Sequence, residues 1–277
     1  MSLLRPLLAV AAWLGLTPPA PALPLAEIRS WAVFYGAEAP VETLRRPDLL
    51  VLEPDHAWTP ATLRRPGQKI LAYLSLGEVH KTRAYFPELQ RAKGALVGAN
   101  PNWPDAQMVD PRSPAWRRLV LERLAPEILA KGYDGFFLDT LDTADHLDRL
   151  GKHPGAREAM AQLVKDLRRK YPEILLLPNG GLPLLDAAGG AFSALTTESV
   201  FTDYQFQPST YRMRDPQGAE ARRAEIAGRA EALGVRVFVI EYAITPEMHA
   251  EAWRKASEAG FVPFVSDIGL TRIEEEP

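Results

Sequence analysis

Two acidic residues of this 277-residue chain lie at the ends of apolar runs, where carboxyl groups could do chemistry. Asp139 follows Gly135-Phe136-Phe137-Leu138, and Glu198 follows Leu195-Thr196-Thr197. Two carboxyl groups can cleave a glycosidic bond, because one protonates the departing oxygen while the other attacks the sugar or activates water. The residues alone leave a second interpretation open for each acid. Asp139 could cap the following helix, and Glu198 could be a buried acid paired with a basic group.

The elements that must position these acids are visible as short apolar runs. Eight such runs predict β-strands: Trp31 to Tyr35, Leu49 to Glu53, Ile70 to Leu76, Gly135 to Asp139, Ile174 to Leu177, Leu195 to Ser199, Val235 to Ile240 and Phe261 to Ser266. Apolar residues at three- and four-residue intervals predict helices between them: Ala115 to Lys131, Ala156 to Tyr171, Ala219 to Leu233 and Glu247 to Ala259. Near-continuous apolar strands alternating with helices predict a parallel sheet covered on both faces.

The number of strands and the chain length favour a single α/β domain with the (β/α)8 (TIM) barrel fold over residues 23–277. An open doubly wound sheet is the alternative, but it would need a glycine-rich turn after its first strand, and Tyr35-Gly36-Ala37-Glu38 has one glycine. The segment from Val79 to Pro114 is too long for a simple connection. Such long loops are usually functional, and we expect this one to cover a cleft.

In a barrel, the carboxyl ends of the strands meet at one mouth. Asp139 and Glu198 would stand two strands apart, roughly 10 Å along the wall. Inward-pointing side chains would reduce this to about 5 Å, the separation of a retaining glycosidase. Apolar sugar faces stack on aromatic rings, and five aromatic residues fall in predicted loops or at strand ends: Tyr35, Trp58, Trp103, Tyr204 and Tyr242. The predicted substrate-binding residues are Tyr35, Asp55, Glu78, Asp142, Asn179, Tyr204, Glu241 and Tyr242.

Several other kinds of site are disfavoured. Asp139, Asp142 and Asp145 are spaced to reach a hard cation, but the later two fit better as acids in the first turn of a helix. We therefore predict no metal and no cofactor. The net charge of −3 and pI near 6.0 argue against nucleic-acid binding. The chain has no Gly-x-Ser-x-Gly motif and no histidine beside a serine that would indicate a hydrolase triad.

The first 22 residues read as an export signal. Arg5 precedes an apolar stretch from Leu7 to Leu16, and Ala20-Pro21-Ala22 fits a small-x-small cleavage site. This predicts a secreted or periplasmic protein, with an uncleaved anchor as the alternative. No later segment has the ~20 uninterrupted apolar residues of a membrane-spanning helix. The chain has no cysteine, so a disulfide is excluded.

Four blocks of the sequence match a known family in combination, although each is weak alone. They are Leu74 to Glu78 with Arg83 to Phe86, Asn102 to Asp142, Thr197 to Phe201, and Glu241 to Ala243. Together they resemble glycoside hydrolase family 114, the endo-α-1,4-polygalactosaminidases, over about Trp31 to Leu270. The resemblance implies a (β/α)8 barrel that cleaves galactosamine-rich exopolysaccharide without a metal. It also implies that Asp139 is the nucleophile and Glu198 the general acid/base.

The residues predict an exported glycosidase with the retaining geometry, expected to be a monomer, and the resemblance implies endo cleavage of α-1,4-linked galactosamine-rich polysaccharide. The alternative is a barrel that binds polysaccharide without cleaving it. Partly deacetylated galactosamine polymers are cationic, so a negative groove would suit them. We expect five acids to form that groove: Glu53, Asp55, Glu78, Asp142 and Glu241.

Overall fold

The computed structural model describes residues 25–275 of the chain. Its β-strands are β1 (Trp31–Phe34), β2 (Leu49–Leu52), β3 (Lys69–Ser75), β4 (Glu78–His80), β5 (Leu96–Ala99), β6 (Ala106–Val109), β7 (Gly135–Asp139), β8 (Leu175–Pro178), β9 (Leu195–Glu198), β10 (Thr202–Phe206), β11 (Ser209–Met213), β12 (Val237–Tyr242) and β13 (Val262–Ser266). The predicted signal segment, residues 1–22, lies outside the described residues.

The α-helices are α1 (Val41–Arg45), α2 (Pro60–Leu63), α3 (Phe86–Arg91), α4 (Pro114–Arg118), α5 (Ala125–Ala130), α6 (Asp142–Arg149), α7 (Ala156–Lys170), α8 (Leu182–Ala188), α9 (Pro216–Leu233) and α10 (Pro246–Glu258). Short 3-10 turns occur at Leu25–Glu27 and Gly189–Ala191. None of the helices within residues 25–275 is long and apolar enough to cross a bilayer.

Eight parallel strands form the wall of a TIM barrel in the order of the sequence. Five pair as β1-β2-β3-β7-β8, and three pair as β9-β12-β13. All eight predicted strands are confirmed, and their ends differ from the predicted ones by two residues or fewer. Aromatic side chains fill part of the core, where Trp31 packs against Phe137, Phe238 and Phe264 with ring centroids 5.4 to 6.3 Å apart.

The two sheets of the wall meet at two seams where no continuous hydrogen-bond ladder is formed within the described residues. Between β1 and β13, Trp31 Nε1 donates to Val262 O at 3.0 Å, and Tyr35 N donates to Leu270 O at 2.8 Å. Between β8 and β9 there is a single parallel bridge, which joins Asn179 and Thr196. We refer to this second boundary as the β8–β9 seam.

A proline explains why the β8–β9 seam lacks a ladder. The N–H groups of Leu175 and Asn179 point to the β7 side and donate to carbonyl groups there. The N–H of Leu176 points the other way and donates to Ser193 Oγ at 3.1 Å. Pro178 occupies the next position that should donate towards β9, and proline has no N–H. Side-chain hydroxyl groups therefore replace part of the ladder at this seam.

The four predicted helices are present, with one departure from regular geometry. Ala115 to Lys131 is helical, but a π-helical turn at Leu119–Leu124 joins α4 to α5. Pro126 lies at the start of α5, where its ring would crowd the preceding turn and its missing N–H leaves a carbonyl without a donor. A local change to wider hydrogen bonding relieves both problems.

Two insertions after barrel strands were not predicted as strands. The Val79 to Pro114 segment contains a three-stranded antiparallel sheet in the order β4-β6-β5, and β10 and β11 form an antiparallel hairpin after β9. The two insertions touch through Trp103 and Phe206, whose ring centroids are 5.6 Å apart at 88°. Both rings line the same cavity at the barrel mouth, so the long segment does contribute to the cleft, as expected.

Candidate active site

A cavity of about 950 Å³ opens at the carboxyl ends of the barrel strands. Asp139 at the end of β7 and Glu198 at the end of β9 both line it, and Asn179, just after β8, lies between them. Ligands bind at this end of a TIM barrel because the strand-to-helix loops there can vary without disturbing the wall. The cavity is therefore the candidate active site.

One amide group joins the two acids. Asn179 Nδ2 donates to Asp139 Oδ1 at 2.9 Å and to Glu198 Oε1 at 2.5 Å. The two bond lengths, 2.9 Å and 2.5 Å, add to 5.4 Å, which is the largest distance possible between those two oxygens. Asp139 and Glu198, which stand two strands apart in the wall, therefore approach each other through the Asn179 amide. Asn179, predicted to bind substrate, contacts both carboxyl groups.

Each acid also has a tyrosine of its own. Tyr73 on β3 lines the cavity beside Asp139 and lowers the pKa of that carboxyl group, and Tyr242 Oη donates to Glu198 Oε2 at 2.7 Å. Tyr73 was missed in the sequence, although a polar residue two positions before the polar end of an apolar strand shares its face and could have been noticed. Tyr242 was predicted to contact substrate, and the structure places its hydroxyl on Glu198 as well as its ring in the cavity.

Burial is the main influence on both carboxyl groups and raises the pKa of each. For Asp139, the charge of Asp142 adds to the rise, and Asn179, the Thr140 backbone and the Tyr73 hydroxyl oppose it. For Glu198, the negative charge of Asp139 raises the pKa further, and Asn179 and Tyr242 oppose it. More groups therefore favour the ionised form of Asp139 than that of Glu198, while the charge of Asp142 raises the pKa of both and Asp139 raises that of Glu198 further.

The backbone leaves both strands through a left-handed residue placed directly after the acid. Thr140 has φ of 58° and Ser199 has φ of 55°. This region is costly for residues other than glycine, above all for β-branched threonine, and is kept only where surrounding contacts hold it. The structure contains different contacts at the two turns.

Hydroxyl groups hold the turn after Asp139. Thr140 Oγ1 lies 2.7 Å from Ser75 Oγ and accepts a hydrogen bond from Gly77 N at 2.9 Å. Gly77 must be glycine here, because a Cβ atom would come within 2.1 Å of the Thr140 carbonyl oxygen. The Leu76-Gly77 corner and the turn after Asp139 therefore pack backbone to backbone.

A buried carboxylate holds the segment after Glu198. Glu241, which is 0% exposed, accepts hydrogen bonds from the backbone N–H groups of Val200, Phe201 and Thr202 at 3.0, 3.0 and 2.8 Å, and from Thr202 Oγ1 at 2.6 Å. Burial raises the pKa of Glu241 from 4.5 to about 7, and these donors limit the rise. With its four partners in the protein interior, Glu241 does not reach the cavity.

The other predicted substrate-binding residues are divided between the cavity and its surroundings. Tyr35, Asp55, Glu78 and Asp142 line the cavity. Tyr204 does not: it packs on its own hairpin against Phe206 and Tyr211, with ring centroids 5.1 and 4.8 Å away. The hairpin residue that reaches the cavity is Phe206, which the sequence did not single out. The substrate contacts predicted for Glu241 and Tyr204 are therefore corrected, because both side chains are directed elsewhere.

The predicted ring of negative charge is smaller than expected. Arg83 binds Glu53 through both terminal nitrogens, at 2.6 and 2.7 Å, and Asp55 at 2.7 Å, so these two acids are compensated. Glu78 is buried at the cavity wall and has neutral partners, Asn100 Nδ2 at 2.8 Å and Thr143 Oγ1 at 3.2 Å.

Burial raises the pKa of Glu78, and the neighbouring charges of Asp139 and Asp142 add to the rise. Asp142 is exposed at the first position of α6, as its helical spacing predicted. Asp145, the third acid of the spaced set, pairs with Arg157 and Arg149. Within residues 25–275 no group of three His, Asp or Glu side chains is arranged to hold a metal ion.

Known proteins resemble this chain in both sequence and structure. The sequence pattern of glycoside-hydrolase family GH114 matches residues 16–276. The glycoside hydrolase domain of PelA from Pseudomonas aeruginosa is 31% identical, with a TM-score of 0.76 over 88% of this chain and 97% of that domain. Ega3 from Aspergillus fumigatus, solved in complex with galactosamine, is 17% identical, with a TM-score of 0.70 over 97% of this chain and 99% of Ega3.

A protein of Deinococcus radiodurans without an assigned function is 27% identical over 93% of this chain and 86% of its own length. The match to the family covers the whole described barrel, including both acids and the residues that join them. The chain belongs to glycoside-hydrolase family GH114, and it is a glycoside hydrolase.

Proposed function

We propose that the protein is an endo-acting hydrolase that cleaves α-1,4-linked galactosamine-rich polysaccharide with retention of anomeric configuration. The observation that carries this proposal is the amide of Asn179, which limits the distance between oxygens of Asp139 and Glu198 to 5.4 Å. Carboxyl groups of retaining glycosidases lie about 5–5.5 Å apart, whereas inverting enzymes need about 6.5–9.5 Å to admit a water molecule.

The donors around each acid support a division of roles. Asp139, with donors that stabilise negative charge, attacks the anomeric carbon and forms a covalent glycosyl-enzyme. Glu198, which carries the proton, gives it to the departing glycosidic oxygen. The same Glu198 carboxylate then takes a proton from water, which attacks the anomeric carbon and releases Asp139.

The charge of the cavity supports an amino sugar as substrate. Glu78 and Asp142 line the cavity, and no cation among the described residues binds Glu78. The charge of Asp142 raises the pKa of both Asp139 and Glu198, and the charge of Asp139 raises the pKa of Glu78. An ammonium group would compensate charge that the protein leaves uncompensated. Ega3, which shares the fold, was solved with galactosamine, and the PelA domain shares 31% of its residues with this chain.

Export is part of the proposal because an exopolysaccharide lies outside the cell. The basic, apolar and small-residue regions within residues 1–22 support it. Expression of the full chain with mass measurement of the secreted product tests this directly. A mature protein that begins at Leu23 is expected, and a protein retained in the cytoplasm at full length would contradict export.

The test of activity is product release from defined polymers of galactosamine, partly N-acetylated galactosamine and glucosamine, analysed by mass spectrometry. We expect oligosaccharides of several lengths from the galactosamine polymers at early times, as endo cleavage requires. Proton NMR of the first product should show the α-anomer. A β-anomer as the first product would establish inversion and refute the assigned mechanism.

A barrel that only binds polysaccharide is the second candidate function. It would bind the polymer and release nothing, and the variants Asp139→Asn and Glu198→Gln would behave like the parent protein. The hydrolase proposal expects the opposite, namely turnover by the parent protein and loss of turnover without loss of polymer binding in both variants.

A further inference from the structure

Three consecutive residues of β12 hold the chain around Glu198. Ile240 O accepts the N–H of Ser199 at 2.8 Å. The Glu241 carboxylate accepts the N–H groups of residues 200–202, as described above. Tyr242 N donates to Thr202 Oγ1 at 2.9 Å, and Tyr242 Oη donates to Glu198 itself. The segment that begins at Glu198 is thus fastened to β12 at each residue up to Thr202.

Glu241 has no hydrogen bond to a cation among the described residues, although its charge reaches the Arg222 guanidinium. A buried carboxylate without a bound cation is costly, so Glu241 is an unusual choice for this position. All four of its hydrogen-bond partners are uncharged. A carboxylate, however, is the side chain that accepts from several donors and donates to none. Three successive amides and a hydroxyl converge here, so a carboxamide would place its NH2 group against one of these donors.

We infer that Glu241 is a positioning residue for Glu198. By holding residues 200–202, its carboxylate fixes where the Glu198 carboxyl group stands relative to Asp139. This inference rests on the proposed function, in which Glu198 is the general acid/base. Because Glu241 does not reach the cavity, it affects the catalytic step and leaves the binding of the polymer almost unchanged.

The experiment compares Glu241→Gln, Thr202→Val and Thr202→Ser with the parent protein. Thr202→Val removes the hydroxyl that bonds Glu241 and Tyr242 N, while Thr202→Ser keeps it as the matched control. We expect kcat to fall about 100-fold in Glu241→Gln, since displacement of a reacting group by about 1 Å costs that much. We expect a smaller fall of about tenfold in Thr202→Val, which loses the two hydrogen bonds of the hydroxyl but keeps the three backbone amides on Glu241. KM should stay within about twofold of the parent value in all three variants, and Thr202→Ser should keep the parent kcat.

The alkaline limb of the pH–rate profile distinguishes positioning from a general loss of folded protein. A smaller active fraction lowers the rate at every pH and leaves the limb in place. Displacement of Glu198 alters its hydrogen bonds with Tyr242 and Asn179, its distance from Asp139, and the bond from Arg222 to its backbone carbonyl. These changes shift the pKa of Glu198 and therefore move the alkaline limb. An unmoved limb in Glu241→Gln would overturn the inference.

Amide hydrogen exchange gives a readout that does not require activity. The N–H groups of Val200, Phe201 and Thr202 should exchange faster in Glu241→Gln and Thr202→Val than in the parent protein or Thr202→Ser. If the parent protein cleaves no galactosamine polymer, the proposed function fails while this measurement still tests the anchor. If Glu241→Gln does not fold, the two Thr202 variants decide: a parent kcat and parent exchange in Thr202→Val would refute the inference.

Discussion

The chain turns away from the barrel wall in the same way after Asp139 and Glu198, the two proposed catalytic acids, yet the two turns are stabilised by different chemistry. Thr140 and Ser199 both adopt left-handed backbone angles. Neutral hydroxyl and backbone groups hold Thr140, whereas an ionisable carboxylate holds the residues after Ser199. Uncharged groups therefore fix the strand end that carries the proposed nucleophile. The strand end that carries the proposed acid/base depends on an ionisable group, the Glu241 carboxylate.

The difference parallels the proposed roles of the two acids. A nucleophile acts in one protonation state, so its support has no need to respond to pH. The acid/base changes protonation twice in each catalytic cycle, and it stands beside Asp139, Asp142 and the buried Glu241. The predictions below separate the two ends, beginning with the largest expected effect.

Substitution of each acid should show its role when two substrates are compared, one whose leaving group needs a proton and one whose leaving group does not. Asp139→Asn should lose about 10⁴-fold or more in kcat on every substrate, because no glycosyl-enzyme forms without the nucleophile. Glu198→Gln should lose as much on the polymer but form the glycosyl-enzyme from a galactosaminyl fluoride, which departs without protonation. Mass spectrometry of the intact protein detects that adduct. An adduct on Asp139→Asn, or none on Glu198→Gln, would reverse the assigned roles.

The Glu198 end should contribute a pH dependence to stability. The pKa of Glu241 rises from 4.5 to about 7 on folding, so its favourable contribution is complete below pH 4.5 and is lost as pH rises through about 7. The free energy of unfolding should fall by roughly 3 kcal/mol across this window from this group. Urea unfolding at several pH values measures it. Glu241→Gln should flatten the curve, and an equally steep curve in that variant would contradict the prediction.

Removal of the group shared by the two ends should affect both. Asn179→Ala deletes the donor to Asp139 and to Glu198, so the amide no longer limits the distance between the two carboxyl groups. We expect kcat to fall about 100-fold. Steady-state kinetics with the polymer measure the loss. Thermal unfolding of the same variant serves as the control, since a folded protein with parent kcat would show that the amide does not set the distance.

The two tyrosines should act on opposite limbs of the pH–rate profile. Tyr73→Phe removes a hydroxyl group that lowers the pKa of Asp139, so this pKa rises and the acidic limb moves to higher pH. Tyr242→Phe removes a donor from the ionised form of Glu198, so its pKa rises and the alkaline limb moves to higher pH. Each variant should leave the other limb in place. The measurement is the profile of kcat/KM from about pH 4 to about pH 9 for each variant, compared with the profile of the parent protein.

The smallest effect concerns the left-handed residues. Ser199→Gly relieves the backbone and removes no side-chain hydrogen bond described for Ser199, so we expect a gain of up to about 1 kcal/mol in unfolding free energy. Thr140→Gly relieves the same strain but also removes the bonds to Ser75 and Gly77, so we expect a net loss of about 1 kcal/mol. Equal changes in the two variants would show that the turns are supported alike.

The sequence was sufficient to predict the barrel wall and the position of both acids. Apolar runs that end in polar residues mark strands buried on both faces, and Asp139 and Glu198 end two of them. The same signal could not show what each polar residue touches. Glu241 and Asp139 both end apolar strands, but one is directed into the interior and the other into the cavity.

The insertions were less predictable for a physical reason. β4, β5, β6, β10 and β11 are short antiparallel strands of mixed polar and apolar residues, and most of their side chains are partly exposed. Such strands take their stability from pairing with each other rather than from a buried apolar face. The reach of Phe206 into the cavity follows from that pairing and could not be predicted from the residue alone.

The β8–β9 seam has a mechanical consequence for the reaction. Asp139 belongs to the five-stranded sheet and Glu198 to the three-stranded sheet. The distance between the two carboxyl groups is therefore measured across the β8–β9 seam. Pro178 leaves that joint with few backbone bonds, and the side chain of Asn179 crosses it. A remote substitution that shifts one sheet relative to the other by about 1 Å would lower kcat as much as a substitution beside the two carboxyl groups. In this barrel, the alignment of the two proposed catalytic acids depends on how the two sheets are joined.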